Sequence, residues 1–324
     1  MTEPRHEHGW LSVYLFINGW IYAPECDQVV TNHVEPFVRR CTTEGWAGQH
    51  FFIRYSEHGP HVRLRLHGRA DVLEGTVWPA LVEHVRASHP DVRVDELPER
   101  PSYTRVDDQP PGVTHLARVA YEPETQRYGG PDALVVAERM FQDSSDTAYA
   151  LLARMGGERS SRLGKGLLST VMACHVFCET RERATAFAQH YSTSYLRALA
   201  REDEGRETFI GAFDRGYEQQ AQTLADYVNE VWERMDEGEE LSEALDRYGE
   251  GLKARRAELR ALFGEGRVQV GGQPASDWQR VVAGIVPSYV HMMNNRLGIT
   301  IQEESYLGYL IHRALRSPDA VGEG

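Results

Sequence analysis

Four cysteines are all that this chain of 324 residues contains, and no two of them form a C-x-x-C pair. Cys174 and Cys178 stand a helical turn apart, but no further ligands lie at zinc spacing. The four thiols therefore read as buried and free in a reducing compartment, with no metal site and no cofactor implied. H-E-x-x-H and G-x-S-x-G are absent, which excludes a zincin helix and a nucleophile elbow. Gly164-Lys165-Gly166 fails as a phosphate loop because Arg159 stands where its first glycine belongs. Positive charge is in deficit too. A net charge of −13 excludes a broad phosphate-tracking surface of the kind nucleic-acid binders carry. No apolar run approaches the ~20 residues that span a bilayer, and Trp10–Ile17 is too short for a signal peptide. A cytoplasmic protein without membrane attachment is the expectation. Internal repeats and low-complexity tracts are lacking as well.

What is present begins with alternation. In His61-Val62-Arg63-Leu64-Arg65-Leu66-His67 a strand's period of two places every nitrogen base on one face and every apolar residue on the other. In an acidic protein that local basic face suits one small anion, or an oxygen that becomes one. Around it the pattern predicts strands over 11–18, 49–56 and 114–121, with helices over 25–43 and from an Asp71 N-cap to about 88. The turn Glu57-His58-Gly59-Pro60 joins two of the strands. The proline-rich, charged segment 89–112 reads as irregular, with a short strand near 92–97. This order is β-α-β-β-α-β, a ferredoxin-like sheet.

The remainder predicts helices over 131–143, 145–155, 159–178, 180–201, 207–235, 239–263, 277–297 and 303–316. The expected class is α+β, with an N-terminal ferredoxin-like portion (1–130) and a helical portion (131–324). Dense charge and sparse apolar residues make 207–263 read as a charged helical projection. Gly264–Pro274 reads as a linker.

Two further clusters carry chemistry. Tyr121–Gly130 runs from a strand end to a helix start, where Glu124 and Arg127 either pair or face a ligand, and Gly129-Gly130 permits close backbone approach. In Ser288–Leu297, His291 and Asn295 share a helical face, so the amide can orient the imidazole or a ligand. The plain alternatives are surface ion pairs for the arginines and for Glu124 with Arg127, and a packed core residue for His291.

Taken together, Phe52-Ile53-Arg54-Tyr55, His61-Val62-Arg63-Leu64-Arg65, Glu124-x-x-Arg127-Tyr128-Gly129-Gly130 and His291-Met292-x-x-Asn295-Arg296-Leu297 resemble the C-terminal domain of class I lantibiotic dehydratases. Free-standing forms of that domain occur in thiopeptide pathways, and the resemblance runs from about Trp10 to Leu315. It implies a lyase that eliminates glutamate from glutamylated Ser or Thr of a ribosomally made precursor peptide, leaving dehydroalanine or dehydrobutyrine. Arg63, Arg65, Glu124, Arg127 and His291 match the family's elimination residues. Arg54, His61, Tyr128 and Asn295, beside them, are expected to contact substrate. The implied partners are the glutamylated precursor peptide, leader and core, and a separate tRNA-dependent glutamylating enzyme, with no direct tRNA binding by this chain expected. The same fold also implies a pyridine synthase performing a formal [4+2] cycloaddition on a dehydrated precursor. A non-catalytic subunit that binds the precursor peptide is a third possibility.

Overall fold

The computed structural model describes residues 8–98, 111–155 and 158–316. Its contacts divide the chain into two units. Unit one comprises Met1–Pro123 and Ser144–Gly157, and unit two comprises Glu124–Asp143 and Glu158–Gly324.

In unit one, five strands form one sheet: β1 (His8–Asn18), β2 (Gln49–Tyr55), β3 (His61–Arg69), β4 (Arg93–Val94) and β5 (Gly112–Arg118). Their order is β2-β3-β1-β5-β4. β1 lies antiparallel to β3 and β5, and β2 lies antiparallel to β3. Those four strands reproduce the expected ferredoxin-like arrangement. The two-residue β4 is added beside β5 in parallel. Residues 99–110 of the proline-rich segment lie outside the described residues.

Two helical stretches cover the apolar face of this sheet. The first runs through α1 (Pro24–Val29), a π turn (Val30–Val34) and α2 (Glu35–Thr43). The second runs through α3 (Ala70–Val72), a π turn (Leu73–Val77) and α4 (Trp78–Arg86). Asp71 sits inside that second stretch, where it pairs with Arg69, rather than capping it. Each π turn carries the carbonyl four residues before a helical proline, at Asn32 for Pro36 and at Gly75 for Pro79. Widening the turn there relieves the clash between that carbonyl and the ring. Val30, Val34, Phe37, Val77, Leu81 and Val85 are fully buried with Leu64 and Val62 of the sheet. Each contributes about 1.5–3 kcal/mol of burial.

Separate helices are expected over 131–143 and 145–155, yet α5 (Pro131–Leu152) is a single helix. Ser144 and Ser145 are buried, and Ser145 Oγ accepts from the Phe52 backbone N–H at 3.2 Å. A packed partner has overridden weak helix propensity.

Unit two holds the start of α5 and seven further helices: α6 (Arg159–Cys178), α7 (Arg181–Leu199), α8 (Asp203–Glu218), α9 (Ala221–Glu237), α10 (Glu243–Gly264), α11 (Trp278–Leu297) and α12 (Ile301–Leu315). α6 is buried from Gly166 to Ala173 and packs on α7, α9, α10, α11 and α12. The charged stretch is not a solvated projection. It forms α8, α9 and α10, whose Phe213, Tyr217, Val228, Trp232, Tyr248 and Leu252 are buried against α6 and α12. Its apolar residues are few but recur at helical spacing, and a narrow stripe suffices to dock a helix. Part of the expected linker is ordered as a small hairpin, β6 (Gln269–Val270) with β7 (Gln273–Pro274). All four cysteines are buried and unbridged. Among the described residues no helix is long and apolar enough to cross a membrane.

Candidate functional site

The nitrogen-base face of β3 is built by its register with β1 and β2. Tyr14 pairs with Arg63, Ser12 with Arg65 and Trp10 with His67 across β1, while Phe51 opposes Arg65 across β2. The result is a row of cations bedded in aromatic rings. Arg63 lies 3.6 Å from the Tyr55 ring centroid and 4.6 Å from that of Tyr14. Its Nε donates to His61 Nε2 at 3.0 Å, and Nη2 donates to Glu57. His61 is fully buried and stacks on Tyr14, with Nδ1 donating to the Gly59 carbonyl at 2.8 Å. Burial pulls its pKa down to about 3, so it is a neutral imidazole that steers Arg63.

Arg65 differs from its neighbour. It is 5% exposed, and its Nε and Nη1 have no hydrogen-bond partner. The rings of Tyr14 and Tyr121 stand 5.4 Å from its guanidinium carbon. Ser12 Oγ, opposite it in register, is also buried without a partner. Burial, reinforced by the charge on Arg63, pulls Arg65 down to about 10, which leaves it cationic at neutral pH. A buried cation with unused donors is costly unless an anion completes it.

In unit two, Glu124–Gly130 folds into a compact turn in which the Arg127 and Tyr128 N–H groups donate to the Glu124 carbonyl. Gly129 and Gly130 have φ of 91° and 96°, and a Cβ on Gly129 would lie 2.5 Å from Ile285 Cδ1. Only glycine fits there, and the turn delivers Arg127 to α11. Arg127 Nε donates to Ser288 Oγ at 3.0 Å, and Nη1 donates to Glu124 Oε2 at 3.1 Å.

One turn beyond Ser288 on α11 stands His291. Its Nδ1 lies 2.9 and 3.1 Å from the two carboxylate oxygens of Glu304, in the first turn of α12. The Tyr191 hydroxyl donates to Glu304 Oε2, and Asn294 Nδ2 donates to that hydroxyl at 3.4 Å. The connection between the two helices sets this contact. Gly298 ends α11 in the left-handed region, and Thr300 with Glu303 forms a capping box that starts α12. Arg159 and Arg162 donate to the carbonyls of Gly298 and Leu297 and pin the junction.

Several expected substrate contacts have other tasks. Arg54 is fully buried on the opposite face of the sheet, opposite Val62 in register, and binds Ile21 O at 2.9 Å and Asp27 Oδ1 at 2.6 Å. It ties β2 to α1 rather than binding substrate. His61 has both ring nitrogens engaged, as above. Tyr128 is a core residue stacked on Tyr289 and edge-on to Phe141, and burial pushes its hydroxyl up to about 12. Asn295 is buried, and Glu304 rather than its amide orients His291. Glu124 is exposed and already accepts from Arg127, a poor position for a base. The sequence reading missed Glu304 and Ser12. The capping box beside the His291 helix was a usable signal for Glu304, and nothing marked Ser12.

The family model for the C-terminal part of lantibiotic biosynthesis dehydratases matches residues 10–315. The subtilin biosynthesis protein SpaB of Bacillus subtilis is 24% identical over 182 residues, which is 55% of this chain and 16% of SpaB. Among solved structures, the pyridine synthase TbtD from thiomuracin biosynthesis is similar with a TM-score of 0.69 and 18% identity, over 94% of this chain and 97% of its own. TsrL gives 0.65 and 19%, over 95% and 94%. The tRNA-dependent lantibiotic dehydratase MibB from Microbispora sp. 107891 gives 0.60 and 20%, over 97% of this chain and 28% of MibB. The chain thus spans a minor part of SpaB and of MibB. At these identities the structural likeness establishes a shared fold.

Proposed function

The chain belongs to the family of lantibiotic biosynthesis dehydratase C-terminal domains, and we propose that within it this protein eliminates glutamate from glutamylated Ser or Thr side chains of a ribosomally made precursor peptide. A separate tRNA-dependent enzyme supplies the glutamyl ester. In the reaction the α-hydrogen leaves as a proton and its electron pair becomes an enolate on the peptide carbonyl. That pair then forms the Cα=Cβ bond, the Cβ–O bond breaks, and glutamate departs with the electrons as its carboxylate. The product is dehydroalanine or dehydrobutyrine.

The Nε and Nη1 of Arg65, which have no partner, carry this reading, because they are preorganised donors for an oxygen that gains charge. Such donors are worth about 3–4 kcal/mol each in comparable oxyanion sites. Arg63, held by His61 and the Tyr14 and Tyr55 rings, adds a second fixed cation. Arg127 suits the carboxylates of glutamate. His291 moves the proton.

The formal [4+2] cycloaddition is the second reading, favoured by the end-to-end match with the pyridine synthase TbtD. One pair of incubations separates the two. Glutamylated precursor loses glutamate and gains a dehydro residue by intact mass if the protein is an elimination lyase. Conversion of an already dehydrated precursor to a macrocycle, with no elimination, selects the cycloaddition. A peptide that binds and leaves both incubations unchanged selects a non-catalytic subunit.

A further inference from the structure

Sequence patterning paired His291 with Asn295, but the structure gives the imidazole a different partner. Glu304 is wholly buried, while the His291 side chain keeps 18% exposure. A carboxylate only accepts hydrogen bonds, so the nitrogen facing its two oxygens must carry the proton. The second donor to Glu304, from Tyr191, fixes the carboxylate as Glu304 fixes the ring. The ring of Tyr195, 5.5 Å away and tilted by 30°, limits rotation of the imidazole further. In a neutral ring whose Nδ1 bears the hydrogen, Nε2 has the lone pair.

We propose that Glu304, held by Tyr191, is a positioning residue that locks His291 in the Nδ1–H tautomer and thereby makes Nε2 the base for the α-proton. This rests on the elimination reading for the substrate, although the tautomer does not. The α-proton passes to Nε2, the positive charge on the ring is stabilised by Glu304, and the proton is later released to solvent. Glutamate leaves as a carboxylate and needs no acid. Glu124 is thereby relieved of the base role and serves to hold Arg127.

The test is ¹⁵N-histidine NMR on the full chain, with the His291 signals assigned by their loss in His291→Asn. Wild type should show Nδ1 protonated and Nε2 unprotonated. Glu304→Gln can donate its amide hydrogens to Nδ1, so the tautomer preference should collapse, and single-turnover elimination should fall roughly 10³-fold or more. Glu304→Asp should restore part of the rate together with the tautomer. Because Glu304→Gln alters a buried site, Tyr191→Phe serves as a second variant. It should keep the tautomer and slow elimination about tenfold or more, the effect of one hydrogen bond to a charged group. Protonation of Nε2 in the wild type overturns the proposal, as does an unchanged rate in a folded Glu304→Gln protein. An Nδ1–H ring in a protein that leaves glutamylated peptide untouched upholds the lock and refutes the elimination reading alone.

Discussion

At the scale of single residues, Arg65 and Arg63 show how neighbours on one strand face acquire different tasks. Arg63 is hydrogen-bonded by His61 and Glu57 and packed on two rings, whereas Nε and Nη1 of Arg65 are buried and unused. Replacing a buried charge with unsatisfied donors by an apolar side chain of similar reach relieves a desolvation penalty. Arg65→Met is therefore expected to stabilise the free protein by about 1–3 kcal/mol in denaturant titration, while elimination falls roughly 10²–10³-fold. A variant that is both less stable and fully active would show that Arg65 is a packing residue. The basic face was legible in the sequence because a strand's alternation needs no tertiary information. Which arginine is satisfied was not, since His61, Tyr14, Tyr55 and Ser12 reach these positions only through register. Arg54, one strand away, was misassigned for the same reason: register sets its face.

At the scale of elements, the histidines of unit one couple its helices to pH. Burial, aided by the charges of His89 and His84, lowers His33 to about 4, and His33 Nε2 lies 3.1 Å from His89 Nε2. Burial lowers His61 to about 3. Both are neutral when folded but take up a proton near pH 6.5 when unfolded, so the unfolded state binds more protons between those values. Stability should therefore fall as pH drops from about 6.5 towards 4, with a ceiling of about 1.4 kcal/mol per pH unit for each group. Thermal unfolding across that range should show the slope, and His33→Asn should reduce it by that residue's share, leaving the share of His61; an unfolding midpoint independent of pH would contradict the assignment. Glycines make a second contrast. Gly129→Ala meets Ile285 and a positive φ, and is expected to cost about 1–3 kcal/mol. Gly164→Ala meets nothing within 4 Å inside α6, and is expected to stabilise by about 0.5–1 kcal/mol. Equal effects at the two positions in denaturant melts would contradict these contacts. Element order was readable from periodicity, but helix ends were not where packing decided them. Ser145 continues α5 because a strand N–H binds it, and Gln219–Gln220 interrupts the expected helix 207–235 with a turn back to Tyr217.

At the scale of the whole molecule, a net charge of −13 coexists with a row of nitrogen bases on one face of β3. That distribution suits capture of a small anion on a peptide more than a polyanion. The strand face, the Glu124–Gly130 loop and the His291 helix were all legible as clusters. The carboxylate that orients His291 was hidden because its burial depends on how α12 packs against α7. The central claim is that the protein converts a glutamyl ester to an alkene. It is tested most directly by incubating purified protein with a glutamylated precursor peptide, without tRNA or ATP, and quantifying free glutamate against dehydro residues. Equal amounts of the two, formed at the same rate and roughly 10²–10³-fold more slowly with Arg65→Met, are the predicted result. Glutamate released with the hydroxyl of Ser or Thr regenerated, or no glutamate released at all from the cognate peptide, would contradict it.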